Sequence, residues 1–196
     1  MRVESLTQQC HKLLREHVRP GDFVIDATAG NGHDTVLLAE LVGESGNVFA
    51  FDNQIQAIES TKRRLEQDGL LQHVTCIHQG HESMARHIPG SLHGRASTIV
   101  FNLGYLPGGD KSQITQQESS LAALRQAIDL LIPKGIITII AYTGHPGGRK
   151  EAEAIKQWAE SLADAKTIIT IPPSRKNNAP EWIVIQRNEN IQGEQQ

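Results

Sequence analysis

The sequence predicts an α/β protein built on a seven-stranded, mostly parallel sheet whose last strand runs antiparallel. Short apolar, β-branched runs alternate with segments of helical periodicity along most of the chain. Several of these runs end in an acid, an amide or a glycine-rich turn, as strands buried on both faces do at their carboxyl ends. The two final runs are separated by a loop too short to hold a helix, so they should pair antiparallel.

Taken in order, Leu6, Cys10, Leu13 and Leu14 recur at helical spacing until Arg19-Pro20-Gly21 breaks the pattern. Phe23-Val24-Ile25-Asp26 reads as the first strand. Val36 to Val42 forms a helix closed by Gly43, and Val48 to Asp52 is the second strand. A helix carrying Ile55, Ile58 and Leu65 ends near Gly69, Val74 to Ile77 is the third strand, and a short helix covers Glu82 to His87. Thr98 to Phe101 is strand-like, Leu121 to Leu131 is helical, and Gly135 introduces the run Ile136 to Ile140. A helix from about Lys150 to Leu162 precedes two closing strands, Thr167 to Ile171 and Trp182 to Gln186. The expected organisation is one domain over residues 1–188, with an N-terminal helical segment in 1–20 and a disordered tail over 189–196. That first helix either packs on the sheet or mediates a homodimer; periodicity alone leaves both open.

Composition bounds the function. The hydrophobic fraction of 38% and charged fraction of 21% lie in the globular range, and 196 residues suffice for one well-buried core. A net charge of −3 rules out a general polycation, so nucleic acid would have to be held by a local basic patch. Two cysteines, Cys10 and Cys76, without metal-ligand spacing argue against a disulfide framework or a metal site. No apolar stretch approaches bilayer length, and the expectation is a soluble, cytoplasmic protein with no membrane partner.

The most informative turn is Asp26-Ala27-Thr28-Ala29-Gly30-Asn31-Gly32-His33-Asp34-Thr35, between the first strand and its helix. Gly30 and Gly32 let the backbone bend sharply and approach a ligand, and the helix start offers N–H groups. Asp52, ending the second strand and followed by Asn53 and Gln54, is placed to accept both hydroxyls of a ribose. This arrangement serves NAD and S-adenosylmethionine alike. Thr35 stands where the third glycine of a dinucleotide fingerprint would fall, and no lysine follows the glycines as in a phosphate-binding loop, which favours the methyl donor. Asp26 resembles the acid opening motif I of Rossmann-like class I methyltransferases, where it faces the methionine part of the cofactor. After the third strand, Gln79 and His81 are alternative adenine contacts, unless His81 and Glu82 merely cap the short helix.

Strand four leads into Asn102-Leu103-Gly104-Tyr105, and its spacing resembles the Asn-Pro-Pro-Tyr motif of amino-group methyltransferases. There the amide oxygen and a backbone carbonyl accept hydrogen bonds from the target nitrogen, and the aromatic ring stacks on the base. Leu103 and Gly104 in place of the prolines are expected to keep both acceptors. Strand five leads into Tyr142-Thr143-Gly144-His145-Pro146-Gly147-Gly148. Tyr142 and His145 are candidates for helping the amine lose its proton; alternatively, the glycines shape a helix entry and His145 is an ordinary loop residue. Lys111, Arg149, Lys150, Arg175 and Lys176, all on loops expected at one sheet edge, are candidate RNA phosphate contacts.

Together, the glycine turn from Thr28 to Thr35, the Asn102–Lys111 loop, the Tyr142–Gly148 segment and Asn177–Trp182 resemble the YtqB-like family long labelled as rRNA methylases. The resemblance spans nearly the whole chain. Members of that family are similar to tRNA 5-aminomethyl-2-thiouridine methyltransferases. The resemblance therefore implies S-adenosylmethionine as cofactor and, as substrate, the amine on a wobble uridine in the tRNA anticodon region. The rival readings are methylation of an rRNA base or a small amine, a non-catalytic nucleotide- or RNA-binding module, and an NAD-dependent oxidoreductase.

Overall fold

A computed structural model describes residues 4–106, 108, 114–170 and 179–189. Helix α1 (Leu6–His17) starts at Ser5, whose hydroxyl accepts the Gln8 N–H while the Gln8 side chain accepts the Ser5 N–H. Strand β1 (Phe23–Asp26), helix α2 (His33–Val42), strand β2 (Asn47–Asp52), helix α3 (Ile55–Gln67) and strand β3 (Val74–His78) make the first half. Helix α4 (Met84–His87), strand β4 (Ala96–Leu103), helix α5 (Gln117–Leu130), strand β5 (Leu131–Ala141), helix α6 (Gly148–Glu160), strand β6 (Ala165–Thr170) and strand β7 (Glu181–Arg187) follow.

The seven strands lie in the order β3-β2-β1-β4-β5-β7-β6. The β1–β2, β1–β4, β2–β3 and β4–β5 pairs are parallel, whereas β7 is antiparallel to both β5 and β6. The expected fold class is therefore what the chain adopts. From β1 the chain proceeds outward through β2 and β3, then returns to place β4 on the other side of β1. That reversal opens a crevice at the carboxyl ends of β1 and β4, where open α/β sheets receive their ligands.

Two apolar layers cover the sheet. Leu14, Leu37, Leu38, Ile58 and Leu65 bring α1, α2 and α3 onto one face, and Met84, Leu124, Leu130 and Ile155 bring α4, α5 and α6 onto the other. Each such leucine or isoleucine contributes about 1.5–3 kcal/mol when fully buried. The apolar stripe of α1, Leu6, Cys10 and Leu14, is occupied by the sheet. Cys10 and Cys76 are free thiols, and burial pushes both up to about 11, so they stay protonated.

The differences from the expected elements have local causes. Strand β5 begins at Leu131 rather than Ile136, because Leu131 already pairs with Ala96 before the register jumps to Thr98 with Ile136. The intervening residues bulge out around Lys134, whose φ of 64° is the one positive value at a non-glycine among the described residues. Short 3₁₀ turns at Leu71–His73 and Gly90–Leu92 were not expected from periodicity. Ile171 and the Asn177–Asn178 part of the predicted motif lie outside the described residues, as does the expected tail from residue 190 onward. Among the described residues no helix is long and apolar enough to cross a membrane.

Candidate active site

A cavity of about 610 Å³ opens at the carboxyl edge of the sheet. It is walled by Thr28, Gly30, Asn31, His33 and Asp34 after β1, Asp52, Asn53 and Gln54 after β2, and His81 after β3. Asn102, Tyr105 and Tyr142, from the ends of β4 and β5, also line it. The size lies within the usual range for small-molecule sites.

The glycine turn is tied to its surroundings on every side. Ala29 N–H donates to the Phe51 carbonyl, Thr61 Oγ1 donates to the Gly30 carbonyl at 3.2 Å, and Arg64 Nε donates to the Asn31 carbonyl at 3.0 Å. Gly32 has a φ of 82°, and a Cβ there would lie 2.9 Å from the Thr61 Cα, so only glycine fits. It braces the turn from behind and does not line the cavity. Asp52 accepts the Gly30 N–H on Oδ2 and the Gln54 N–H on Oδ1, each at 2.9 Å. Burial raises its pKa despite these hydrogen bonds.

Asp26 departs from the expectation that it faces a ligand. It is fully buried behind the turn, accepting the Thr35 hydroxyl at 2.6 Å and the Thr28 N–H at 3.1 Å, and it does not line the cavity. Desolvation, with the nearby Asp34 charge next, raises its pKa from 3.8 to about 7. Asp26 therefore keeps its proton in the fold up to about pH 7, while the unfolded chain releases it near pH 4. Stability then falls as pH rises through that window. In urea unfolding, Asp26→Asn is expected to gain on the wild type between pH 4 and 7.5, by on the order of a few kcal/mol. An offset independent of pH would show that ionisation is not its source.

At the third strand the alternatives separate. Gln79 is exposed and off the cavity, whereas His81 is buried and lines it. The His81 ring hydrogen-bonds the Ala27 backbone, burial holds its pKa below the usual value, and its Nε2 has no hydrogen-bond partner among the described residues.

Asn102 sits at the centre of the other wall. Its backbone N–H donates to Thr28 Oγ1 at 2.7 Å, and its Nδ2 donates to Asp34 Oδ2 at 2.6 Å, so the strand end is secured and the side-chain amide is oriented by Asp34. The backbone carbonyls of this loop also take part in holding it. The Leu103 carbonyl already accepts the Tyr142 N–H at 2.8 Å, and the Gly104 carbonyl accepts the Thr115 N–H at 2.9 Å. These bonds fasten the loop, and each carbonyl oxygen keeps a second lone pair beside the side-chain oxygen of Asn102. Tyr105 and Tyr142 flank it with rings 43% and 40% exposed, enough to present an aromatic face at the mouth. Burial raises the Tyr142 pKa, which makes the phenol a hydrogen-bonding group rather than a base near neutrality.

His145 lies outside the cavity wall, edge-on to Tyr105 with ring centroids 6.4 Å apart. A Cβ on Gly148 would lie 2.7 Å from His145 Nε2, so that glycine lets the ring pack against the start of α6. With Arg149 and Lys150, His145 lines a second hollow beside the first. Lys111, Arg175 and Lys176 lie outside the described residues. Sequence reasoning missed several cavity residues, Thr7 and His11 of α1 and Ile114, Thr115, Gln116 and Ser119 before and at the start of α5.

A family model described as "Putative rRNA methylase" matches residues 48–187. The chain belongs to the rRNA methylase family. A model for protein-L-isoaspartate(D-aspartate) O-methyltransferase also matches residues 4–89, the half that carries the glycine turn. The chain is 39% identical over 167 residues to the chloroplastic tRNA (mnm(5)s(2)U34)-methyltransferase of Arabidopsis thaliana, covering 81% of this chain and 60% of that protein. It thus spans only part of the plant relative, as it spans 50% of ribosomal RNA small subunit methyltransferase H from Koribacter versatilis, at 28% identity. Among solved structures, an rRNA methylase family protein from Clostridium thermocellum, carrying the same description as the family, superposes with a TM-score of 0.89 at 36% identity. It covers 95% of this chain and 100% of its own. SMU.1697c of Streptococcus mutans, described as "a putative methyltransferase" and solved in complex with SAH, superposes with a TM-score of 0.83 at 30% identity. The match covers 95% of this rRNA methylase family chain and 99% of that one.

Proposed function

We propose that this chain is an S-adenosylmethionine-dependent N-methyltransferase acting in the cytoplasm on the aminomethyl group of the wobble (thio)uridine of tRNA. The product is 5-methylaminomethyl-(2-thio)uridine. The observation that carries this reading is the convergence of the Gly30 turn, the Asp52 carboxylate and the oriented Asn102 amide on one cavity.

The residues fit the cofactor. Each Asp52 oxygen is held by one backbone N–H and retains a lone pair, which suits the two hydroxyls of a ribose. His81 Nε2, buried without a hydrogen-bond partner among the described residues, suits a polar edge of adenine. Gly30, Asn31, His33 and Asp34 line the wall between Asp52 and Asn102 and suit the polar aminoacyl end. When bound, the cofactor supplies an electrophilic methyl group on a sulfonium.

The rest is positioning. An alkylamine is largely protonated near neutrality, so it must release one proton to solvent water before its lone pair can attack, keeping two N–H bonds. Asn102 Oδ1 accepts a hydrogen bond from one of the two remaining N–H groups and aims that lone pair. Tyr105 and Tyr142 offer ring faces to the base, and Arg149 and Lys150, together with Lys111, Arg175 and Lys176, are assigned to the RNA phosphates.

The plant relative's name and the amide-centred acceptor site support tRNA and nitrogen. The names of the family and of the Koribacter relative favour ribosomal RNA instead. Mass analysis of nucleosides from a deletion strain separates the two. Loss of methylaminomethyl uridine with accumulation of its aminomethyl precursor in tRNA is the expected result. An intact tRNA profile beside a lost rRNA methyl group would replace this reading by the second.

A further inference from the structure

Helix α1 reaches the cavity, yet the chemistry above makes no use of it. Leu6, Cys10 and Leu14 occupy its sheet-facing stripe, and Thr7 and His11, one turn apart, form the stripe beside it. The Thr7 side chain is hydrogen-bonded to Tyr142. His11 Nε2 lies 2.5 Å from Asp34 Oδ1, and the other carboxylate oxygen accepts from Asn102 Nδ2 at 2.6 Å. Side-chain exposure drops along this chain, from 27% at His11 to 12% at Asp34.

We infer that His11 is a positioning residue: by holding one oxygen of Asp34 it fixes the carboxylate plane that orients the Asn102 amide toward the acceptor nitrogen. A primary amide on a cavity wall has two orientations that exchange its oxygen and its NH₂ group. The Asp34 carboxylate, which accepts from the amide, selects the orientation with NH₂ toward Asp34 and the oxygen on the opposite side. A carboxylate held at one oxygen alone can still turn about its terminal bond. With His11 on the second oxygen it is held at both ends, by hydrogen bonds of 2.5 and 2.6 Å. The N-terminal helix thereby becomes part of the acceptor subsite.

This inference rests on the role assigned to Asn102, and its test separates the two. In the full chain, His11→Ala is expected to lower kcat for amine methylation by about ten- to a hundredfold. The KM for tRNA and the Kd for S-adenosylhomocysteine should stay within about twofold. The side-chain amide resonances of Asn102 in a ¹⁵N-labelled sample should move upfield as its hydrogen bond to Asp34 loosens. His11→Gln, whose NH₂ group can donate to the same oxygen, should restore most of kcat and the resonance position. Unchanged kcat and resonances in His11→Ala overturn the inference, as do parallel losses of kcat and S-adenosylhomocysteine affinity in both variants, which mark a merely structural role. The resonances are read without any acceptor substrate. A wild-type protein that leaves tRNA unmethylated therefore sinks the proposed substrate and leaves the positioning result to stand or fall by itself.

Discussion

Replacing Asn102 by alanine is expected to slow methyl transfer by about two to three orders of magnitude, the cost typical of deleting one preorganised polar group from an active site. The backbone of β4 should not notice the change, because the bond that secures it runs from the Asn102 N–H to Thr28 Oγ1 and survives the substitution. What disappears is the side-chain oxygen, whereas the Leu103 and Gly104 carbonyls stay engaged with the Tyr142 and Thr115 N–H groups that fasten the loop. Single-turnover measurements with saturating cofactor isolate this step. S-adenosylhomocysteine should still bind within about threefold of the wild type. A rate within tenfold of the wild type would remove Asn102 from the centre of the mechanism.

Asp52→Ala should act on the opposite side of the cavity, weakening S-adenosylhomocysteine by about a hundredfold or more in calorimetric titration. Two losses combine. The ribose would forfeit hydrogen bonds to a charged partner, at about 1.5–3 kcal/mol each. The Gly30 and Gln54 N–H groups would also lose the acceptor that shapes the turn before any ligand arrives. Because the carboxylate serves the empty turn as well as the ligand, melting temperature should fall too, whereas Asn102→Ala should leave it nearly unchanged. Affinity within threefold of the wild type would place the ribose elsewhere.

Much of this architecture was legible in the residues because it is written locally. Phe23 to Asp26 and Val48 to Asp52 are apolar runs that stop at an acid, and those stops mark the carboxyl edge where the cavity forms. Asn102 and Tyr105 were legible for the same reason. Other features depend on how elements dock. The period of Leu6, Cys10 and Leu14 reveals which stripe of α1 is buried, but whether Thr7 and His11 meet the cavity depends on where that helix lies across the sheet. Asp26 and Asp52 both end strands. One turns beneath the glycine turn toward Thr35 and the other toward Gly30, a difference set by neighbours distant in sequence. Gln79 and His81 likewise flank a single turn, and only the packing of His81 against Phe101 shows which faces inward. That the Leu103 carbonyl also accepts the Tyr142 N–H could not be read locally, because Tyr142 follows the next strand.

The placement of β7 between β5 and β6 has a consequence for how the molecule is assembled. Strand β6 precedes β7 in the chain, yet its sheet neighbour is β7 alone. Until residues 181–187 have been synthesised and inserted, β6 has no edge to join and β5 presents an open one. The right-hand third of the sheet is thus completed by its latest segment, in a single closing event. A ribosome-bound chain arrested before Glu181 should expose the β5 border as a sticky, protease-sensitive surface.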